Sequence, residues 1–159
     1  MEDVRGRYCI PPKKRSREGR RGAFLEGCFQ AQLCAVAAYT YRSLMTEGIS
    51  RELSDAFDRI AIDEMEHFRL LGSLIASLGG DPVIRTSVET ESLEMEESNT
   101  RALANALTEM INHAVLEERE EILRYRTAMR CTDDRIVRGF LSQLIADEER
   151  HITTLVRLL

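Results

Sequence analysis

Asp63-Glu64-Met65-Glu66-His67 and, far downstream, Asp147-Glu148-Glu149-Arg150-His151 spell one pattern, Asp-Glu-x-x-His, twice in a single chain. Each copy lies in a segment whose apolar residues recur at helical spacing. The chain has three histidines, and these motifs use two of them. On a helix, residues i and i+3 share a face, so each copy presents a carboxylate and an imidazole to the same point. Two such helices facing each other supply two Glu and two His to a buried centre. That is half or more of a di-metal carboxylate site between the helices of a bundle.

Working outward, the sequence predicts four helices in two pairs. The first periodic segment runs from about Ala23 to Thr46, with an apolar stripe of Phe24, Leu25, Phe29, Leu33, Val36, Ala37 and Leu44, and with Gly48 placed to close it. The second starts at Ser50, an N-cap residue, and runs to Leu78, where Gly79-Gly80-Asp81-Pro82 ends it. The third begins near Ser98 or Asn99 and reaches about Met129. The fourth, capped by Thr132 or Asp133, continues to the C-terminus. Short connections join helices 1 to 2 and 3 to 4, and a long one, roughly residues 79–98, joins 2 to 3. The expected fold is therefore all-α: a four-helix bundle of two helical hairpins joined by a long crossover. Aligning Glu64 with Glu148 also matches Ile60 with Leu144, Asp63 with Asp147, His67 with His151, Leu71 with Leu155 and Leu74 with Leu158. Ordinary helix patterning explains the apolar matches but not Asp, Glu and His matching together.

Composition agrees. At 159 residues the chain is one domain's worth, and 43% apolar with 31% charged residues, no Trp and three Pro suits long amphipathic helices. Cys9, Cys28, Cys34 and Cys131 contain no Cys-x-x-Cys pair, which argues against a zinc ribbon or a rubredoxin-type iron site. No secretory leader and no apolar run of membrane-spanning length is evident, so the expected location is the cytoplasm. Charge divides the chain: residues 1–22 carry eight Lys/Arg against three acids, while the remainder is acidic. The domain reading is a basic N-terminal arm over 1–22 and the bundle over 23–159. The arm reads as a solvated segment or a docking arm for a partner subunit, and nucleic-acid binding is not expected from so short a stretch. The five Glu between Glu89 and Glu97 read as solvated charge.

The odd-numbered helices should complete the site with one carboxylate each. On the third helix Glu118 stands seven residues, about two turns, before Tyr125; on the first, seven before Tyr39 stands Gln32. The interval from Gln32 to Glu64 nearly equals that from Glu118 to Glu148. The candidate constellation is thus Gln32, Glu64, His67, Glu118, Glu148 and His151. Glu117 competes with Glu118, but the tyrosine spacing favours Glu118. His113 falls off that face and reads as a surface or supporting histidine, and Glu120 and Glu121 read as a solvated face. Cys28, four residues before Gln32, shares its face and reads as a small buried side chain or, less simply, a thiolate ligand.

Over about residues 24–159 the chain resembles the ferritin-like superfamily, in particular small bacterial proteins of the rubrerythrin and bacterioferritin branch. The resemblance is carried by the run from Ile60 to His67, by Leu78-Gly79-Gly80-Asp81-Pro82-Val83-Ile84-Arg85, and by the run from Leu144 to His151. The first half also resembles manganese-catalase-like spore-coat proteins. The resemblance implies two metal ions, iron or manganese, with zinc accepting the same donors. It further implies Glu64 and Glu148 as bridging carboxylates, His67 and His151 as terminal nitrogen ligands, and Glu118 as a terminal carboxylate. Asp63 and Asp147 would accept hydrogen bonds from the ligand histidines, and Tyr39 and Tyr125 would lie beside the metals. It implies redox handling of peroxide or O2 by an oxidoreductase, an electron donor on a separate protein, and a homodimer.

One position departs. Where the family places Glu, this chain has Gln32, a neutral and weaker ligand. Two divalent cations bring four positive charges, and three carboxylates leave one uncompensated, which is costly in a buried site. The alternative expectation is a degenerate bundle with a structural, single-metal or empty site, serving as a structural or interaction protein.

Overall fold

The computed structural model describes residues 22–85 and 100–159. The basic arm, the five crossover glutamates and the predicted start at Ser98 or Asn99 lie outside the described residues. A 3-10 turn over Ala23–Leu25 leads into α1 (Glu26–Thr46), followed by α2 (Arg51–Ser77), α3 (Thr100–Arg130) and α4 (Arg135–Val156). The helices α1 and α2 form one antiparallel hairpin and α3 and α4 the other; the hairpins meet along an α1/α3 seam and an α2/α4 seam. This is the expected four-helix bundle. No helix among the described residues is long and apolar enough to cross a membrane.

Local chemistry explains most of the boundaries. The Ser50 hydroxyl accepts from Leu53 N, capping α2 as expected. At the other end, Gly79 takes φ +80°, Gly79 N–H donates to Ala76 O, and Gly80 N–H donates to Ile75 O at 2.9 Å. Together these bonds form a Schellman closure. A Cβ on Gly80 would stand 2.8 Å from Ile75 Cγ2, so both glycines are required there. Two expected caps are displaced. Asp134, not Thr132 or Asp133, caps α4 through Ile136 N and Val137 N, while Thr132 Oγ1 accepts from Asp134 N and shapes the turn. Gly48 does not adopt a left-handed conformation; Ile49 N and Ser50 N both donate to Thr46 O, which carries the chain from one helix into the next cap. Leu44 is also corrected: it is exposed, because it lies away from the core face defined by Leu25, Phe29, Gln32 and Tyr39.

Two apolar cores sit at different heights of the bundle, and all four helices contribute to each. One contains Leu25, Phe29, Leu71, Ile75, Ala128 and Leu141 among others. Within it Phe29 stacks on Phe68 at 4.4 Å between centroids, and Gly72 leaves room for that pair, since a Cβ there would meet Phe29 at 3.0 Å. The other core contains Leu53, Phe57, Ile60, Ile111, Ala114 and Leu155. At the depth between the two cores every helix turns buried polar residues inward: Gln32 on α1, Glu64 and His67 on α2, Glu118 and Glu121 on α3, Glu148 and His151 on α4.

Candidate metal centre

The polar layer is the point where the two Asp-Glu-x-x-His motifs meet. Because Glu and His are three residues apart on α2 and again on α4, each pair shares an inward face. The two helices run past each other so that the histidines lie 5.9 Å apart between ring centroids. His67 Nδ1 stands 3.3 Å from Glu64 Oε2 and 3.2 Å from Glu148 Oε1. His151 Nδ1 stands 2.9 Å from Glu148 Oε2, 3.1 Å from Glu64 Oε1 and 3.5 Å from Glu118 Oε2. Thus Glu64 and Glu148 each face both imidazoles, one oxygen per ring.

The outer nitrogens are held by the aspartates, and crosswise. His67 Nε2 on α2 meets Asp147 on α4 at 3.3 Å, and His151 Nε2 on α4 meets Asp63 on α2 at 3.2 Å. Asp147 is itself fixed by Gln143 at 3.0 Å and Arg150 at 2.5 Å. An imidazole that donates Nε2–H to a carboxylate keeps the Nδ1 lone pair for a ligand.

On the α1/α3 seam the structure brings Glu118 into the layer, where the Tyr39 hydroxyl donates to its Oε1. Glu117 turns outward instead and pairs with Arg42 at 2.6 Å. Arg42 is buried over the Tyr39 ring at 5.1 Å, and its Nη2 also reaches the exposed His113 at 3.1 Å. Gln32 is fully buried, and its Nε2 donates to Glu121 Oε2, which the Tyr125 hydroxyl also approaches at 3.5 Å.

Glu121 is the residue that sequence reasoning missed. It was expected on a solvated face with Glu120. Glu120 is exposed and pairs with Arg124, but Glu121 is only 6% exposed. The signal was its spacing, one helical turn after Glu118 and so on the same face; the charged run Glu117-Glu118-Arg119-Glu120-Glu121 hid it. Cys28 lies in the adjoining apolar core, and burial, followed by the charge of Glu121, pushes its thiol up to about 11. It remains a neutral thiol there.

The electrostatics describe a pocket of acids compensated by protons. Burial opposes charge on His67, but hydrogen bonds and charge from Glu148 and Glu64 outweigh it and push the imidazolium up to about 10. His151 is raised further for the same reason, with Glu118 the strongest partner. Burial also works against ionised Glu148, yet the hydrogen bonds from His151 and His67 hold it down at about 2. Burial, then repulsion from Glu64 and Glu148, pushes Glu118 up to about 8 although His151 pulls the other way. Glu121 is held well above its ordinary value by burial and by the same two neighbours, with Glu118 adding to them.

The donor set fits a metal. Glu64, Glu118, Glu148 and His151 each offer an atom within 4.8 Å of every other. Several buried atoms that face the layer make no well-directed hydrogen bond: Gln32 Oε1 has no partner, and Glu64 Oε1, Glu118 Oε2, both Glu148 oxygens and His151 Nδ1 meet only as ion pairs of carboxylate with imidazole. Buried acceptors left unpaired are expensive, and a cation is a partner that would satisfy many of them at once. With Glu121 the layer holds four carboxylates, so the charge deficit expected from Gln32 is made up on α3.

Comparison with known proteins agrees with this fold. A family model described as a ferritin-like domain matches residues 25–159. Among curated protein sequences no relative matches the chain. Among solved structures, a ferritin-like diiron-carboxylate protein of Bacillus anthracis is 25% identical, with 91% of this chain and 99% of that one covered and a TM-score of 0.68. A Desulfovibrio desulfuricans bacterioferritin, described with its diiron site in different catalytic states, is 20% identical with a TM-score of 0.72 over 91% of this chain and 82% of that one. A Rhodobacter capsulatus bacterioferritin, described with a metal-free dinuclear site and haem iron, is 21% identical with a TM-score of 0.67 over 87% and 82%.

Proposed function

This chain belongs to the ferritin-like domain family, and on that footing we propose that its buried layer binds two divalent metal ions and handles O2 or peroxide by redox chemistry. The observation that carries the reading is the convergence of buried carboxylate and imidazole atoms between two apolar cores. Glu64 and Glu148 would bridge the ions, since each faces both histidines. His67 and His151 would ligate through Nδ1, held in that tautomer by Asp147 and Asp63. Glu118 and Glu121 would complete the charge. Iron or manganese bound there would supply the electrons for reduction of the oxidant; zinc would occupy the same donors without redox capacity.

The chain's own residues account for the rest. In the metal-free layer the protons on His67 and His151 stand where cations would, so loading releases protons. Tyr39 fixes one Glu118 oxygen and leaves the other toward the layer. The apolar cores exclude water from both ends. With no Cys-x-x-Cys pair in the chain, reducing electrons would come from a separate protein. A homodimer is the assembly we propose, and the B. anthracis diiron-carboxylate relative supports a di-iron loading over a di-manganese one.

Elemental analysis of protein purified without added metal tests this reading. The expected result is two equivalents of iron or manganese with peroxide turnover. A folded bundle that takes up no metal after reconstitution would sink it, and would leave the second reading, a structural or interaction protein, for which Gln32 in place of Glu is the favouring observation.

A further inference from the structure

The two ends of the polar layer are built differently. Along the bundle, His151, Glu118 and Tyr39 lie on the side of the core containing Phe57 and Leu155, whereas His67, Gln32, Glu121 and Tyr125 lie on the side of the core containing Phe29 and Leu71. At the His151 end the donors already converge: Glu64, Glu118, Glu148 and His151 lie within 4.8 Å of one another. At the His67 end the Nδ1 atom meets one oxygen each of Glu64 and Glu148, and the further carboxylate, Glu121, stands outside the converging set with its Oε2 held by Gln32 Nε2. Gln32 Oε1 has no partner.

Resting on the metal-site reading above, we infer that Gln32 is a positioning residue that holds Glu121 at the His67 end, so that the layer offers two unequal divalent-metal positions filled in order. The His151 position, preassembled, fills first. The His67 position fills second, because Glu121 stands outside the four converging donors and must bring its other oxygen to the ion while Gln32 Nε2 keeps hold of Oε2. An amide suits this task better than a carboxylate: Gln32 donates a hydrogen bond to Glu121 without adding a fifth negative charge to the layer. Helix α1 thus acts on the second ion through α3, and the carboxylate expected on α1 has its counterpart across the seam.

Titration of the metal-free protein with Co2+ under anaerobic conditions, followed by visible absorption and calorimetry, tests the inference. The wild type should show two resolved equivalents. Glu121→Gln should leave the first unchanged and weaken the second by about 10–100-fold, the range for residues that orient or complete a metal site. Gln32→Met should weaken the second equivalent too, and the double variant should be no weaker than Glu121→Gln alone, because both changes remove one arrangement. Gln32→Leu replaces the methionine variant if circular dichroism shows that the latter is unfolded. Two indistinguishable wild-type equivalents, an unaffected second equivalent in Glu121→Gln, or fully additive losses in the double variant, as for Gln32 ligating metal directly, would each overturn the inference while leaving the metal-site reading intact. No Co2+ binding by the folded wild type would remove both.

Discussion

The α2/α4 seam and the α1/α3 seam build the same layer by different rules. Across α2/α4 each helix gives a Glu, a His and an Asp, and the Asp–His contacts are exchanged reciprocally at 3.3 and 3.2 Å. Across α1/α3 nothing is reciprocal: α3 contributes Glu118 and Glu121, and α1 contributes Gln32 and Tyr39, each donating a hydrogen bond to one of them. A repeated motif constrains the seam it lies in, because its residues contact their own copies. The other seam has only to deliver charge and donors to the right depth, and either helix can carry them.

The largest break in the comparison should come from the symmetric seam. Glu148→Ala removes a carboxylate that both histidines face, and both metal equivalents should be lost to elemental analysis while the helical circular dichroism persists. The next effect is one of pH on the metal-free protein. Glu118 and His67 hold their protons more tightly folded than unfolded, up to about 8 and about 10. The stability tied to those protons is fully present below the ordinary values of 4.5 and 6.5 and is lost as pH rises through about 8 and then about 10. Glu148 is lowered to about 2, so its contribution is present above 4.5 and is lost as pH falls through about 2. The melting temperature should therefore be highest in mild acid and decline steadily toward pH 10. A flat profile across that range would contradict the protonated layer.

Smaller effects probe the supporting shell. Asp147→Asn should weaken metal binding about tenfold or more, whereas Asp63→Asn should cost less, because Asp147 is 14% exposed and doubly anchored and Asp63 is 53% exposed. Equal losses in a Co2+ titration would mean that the seam is more symmetric than its solvent exposure suggests. Arg42→Met should lower stability by about 1 kcal/mol in urea unfolding, a charged hydrogen bond discounted for the half-exposed Glu117. Glu120→Gln should change neither stability nor metal binding measurably, in contrast to its neighbour Glu121.

The fold was legible because its signals are local and repeated. Ser50 carries its own cap, the Gly79-Gly80 pair its own closure, and the two Asp-Glu-x-x-His motifs mark one depth on two helices. Residues set by one helix face were also legible, as with Glu118, or with Tyr39 beside the layer. What could not be read is what depends on the partner across a seam. Glu121 looks like solvated charge until Gln32 and Tyr125 are seen to receive it. Tyr39 reaches Glu118 on another helix, and Tyr125 meets Glu121 on its own, although their spacing matched Tyr39 to Gln32 and Tyr125 to Glu118. Asp134 displaced Thr132 and Asp133 as a cap because three adjacent residues of similar propensity differ only in how the turn closes.

The two apolar cores have a consequence for the life cycle of the protein. Each is a keystone spanning all four helices, and the polar layer is a joint between them, in series with both. Emptying or refilling the joint leaves both keystones in place. If the layer takes metal as proposed, folding and metallation would be separable events, unlike in small domains whose metal is their core. On the proposed metal-binding reading the chain would mature as an apoprotein and exchange ions afterwards at the cost of a local rearrangement rather than of unfolding.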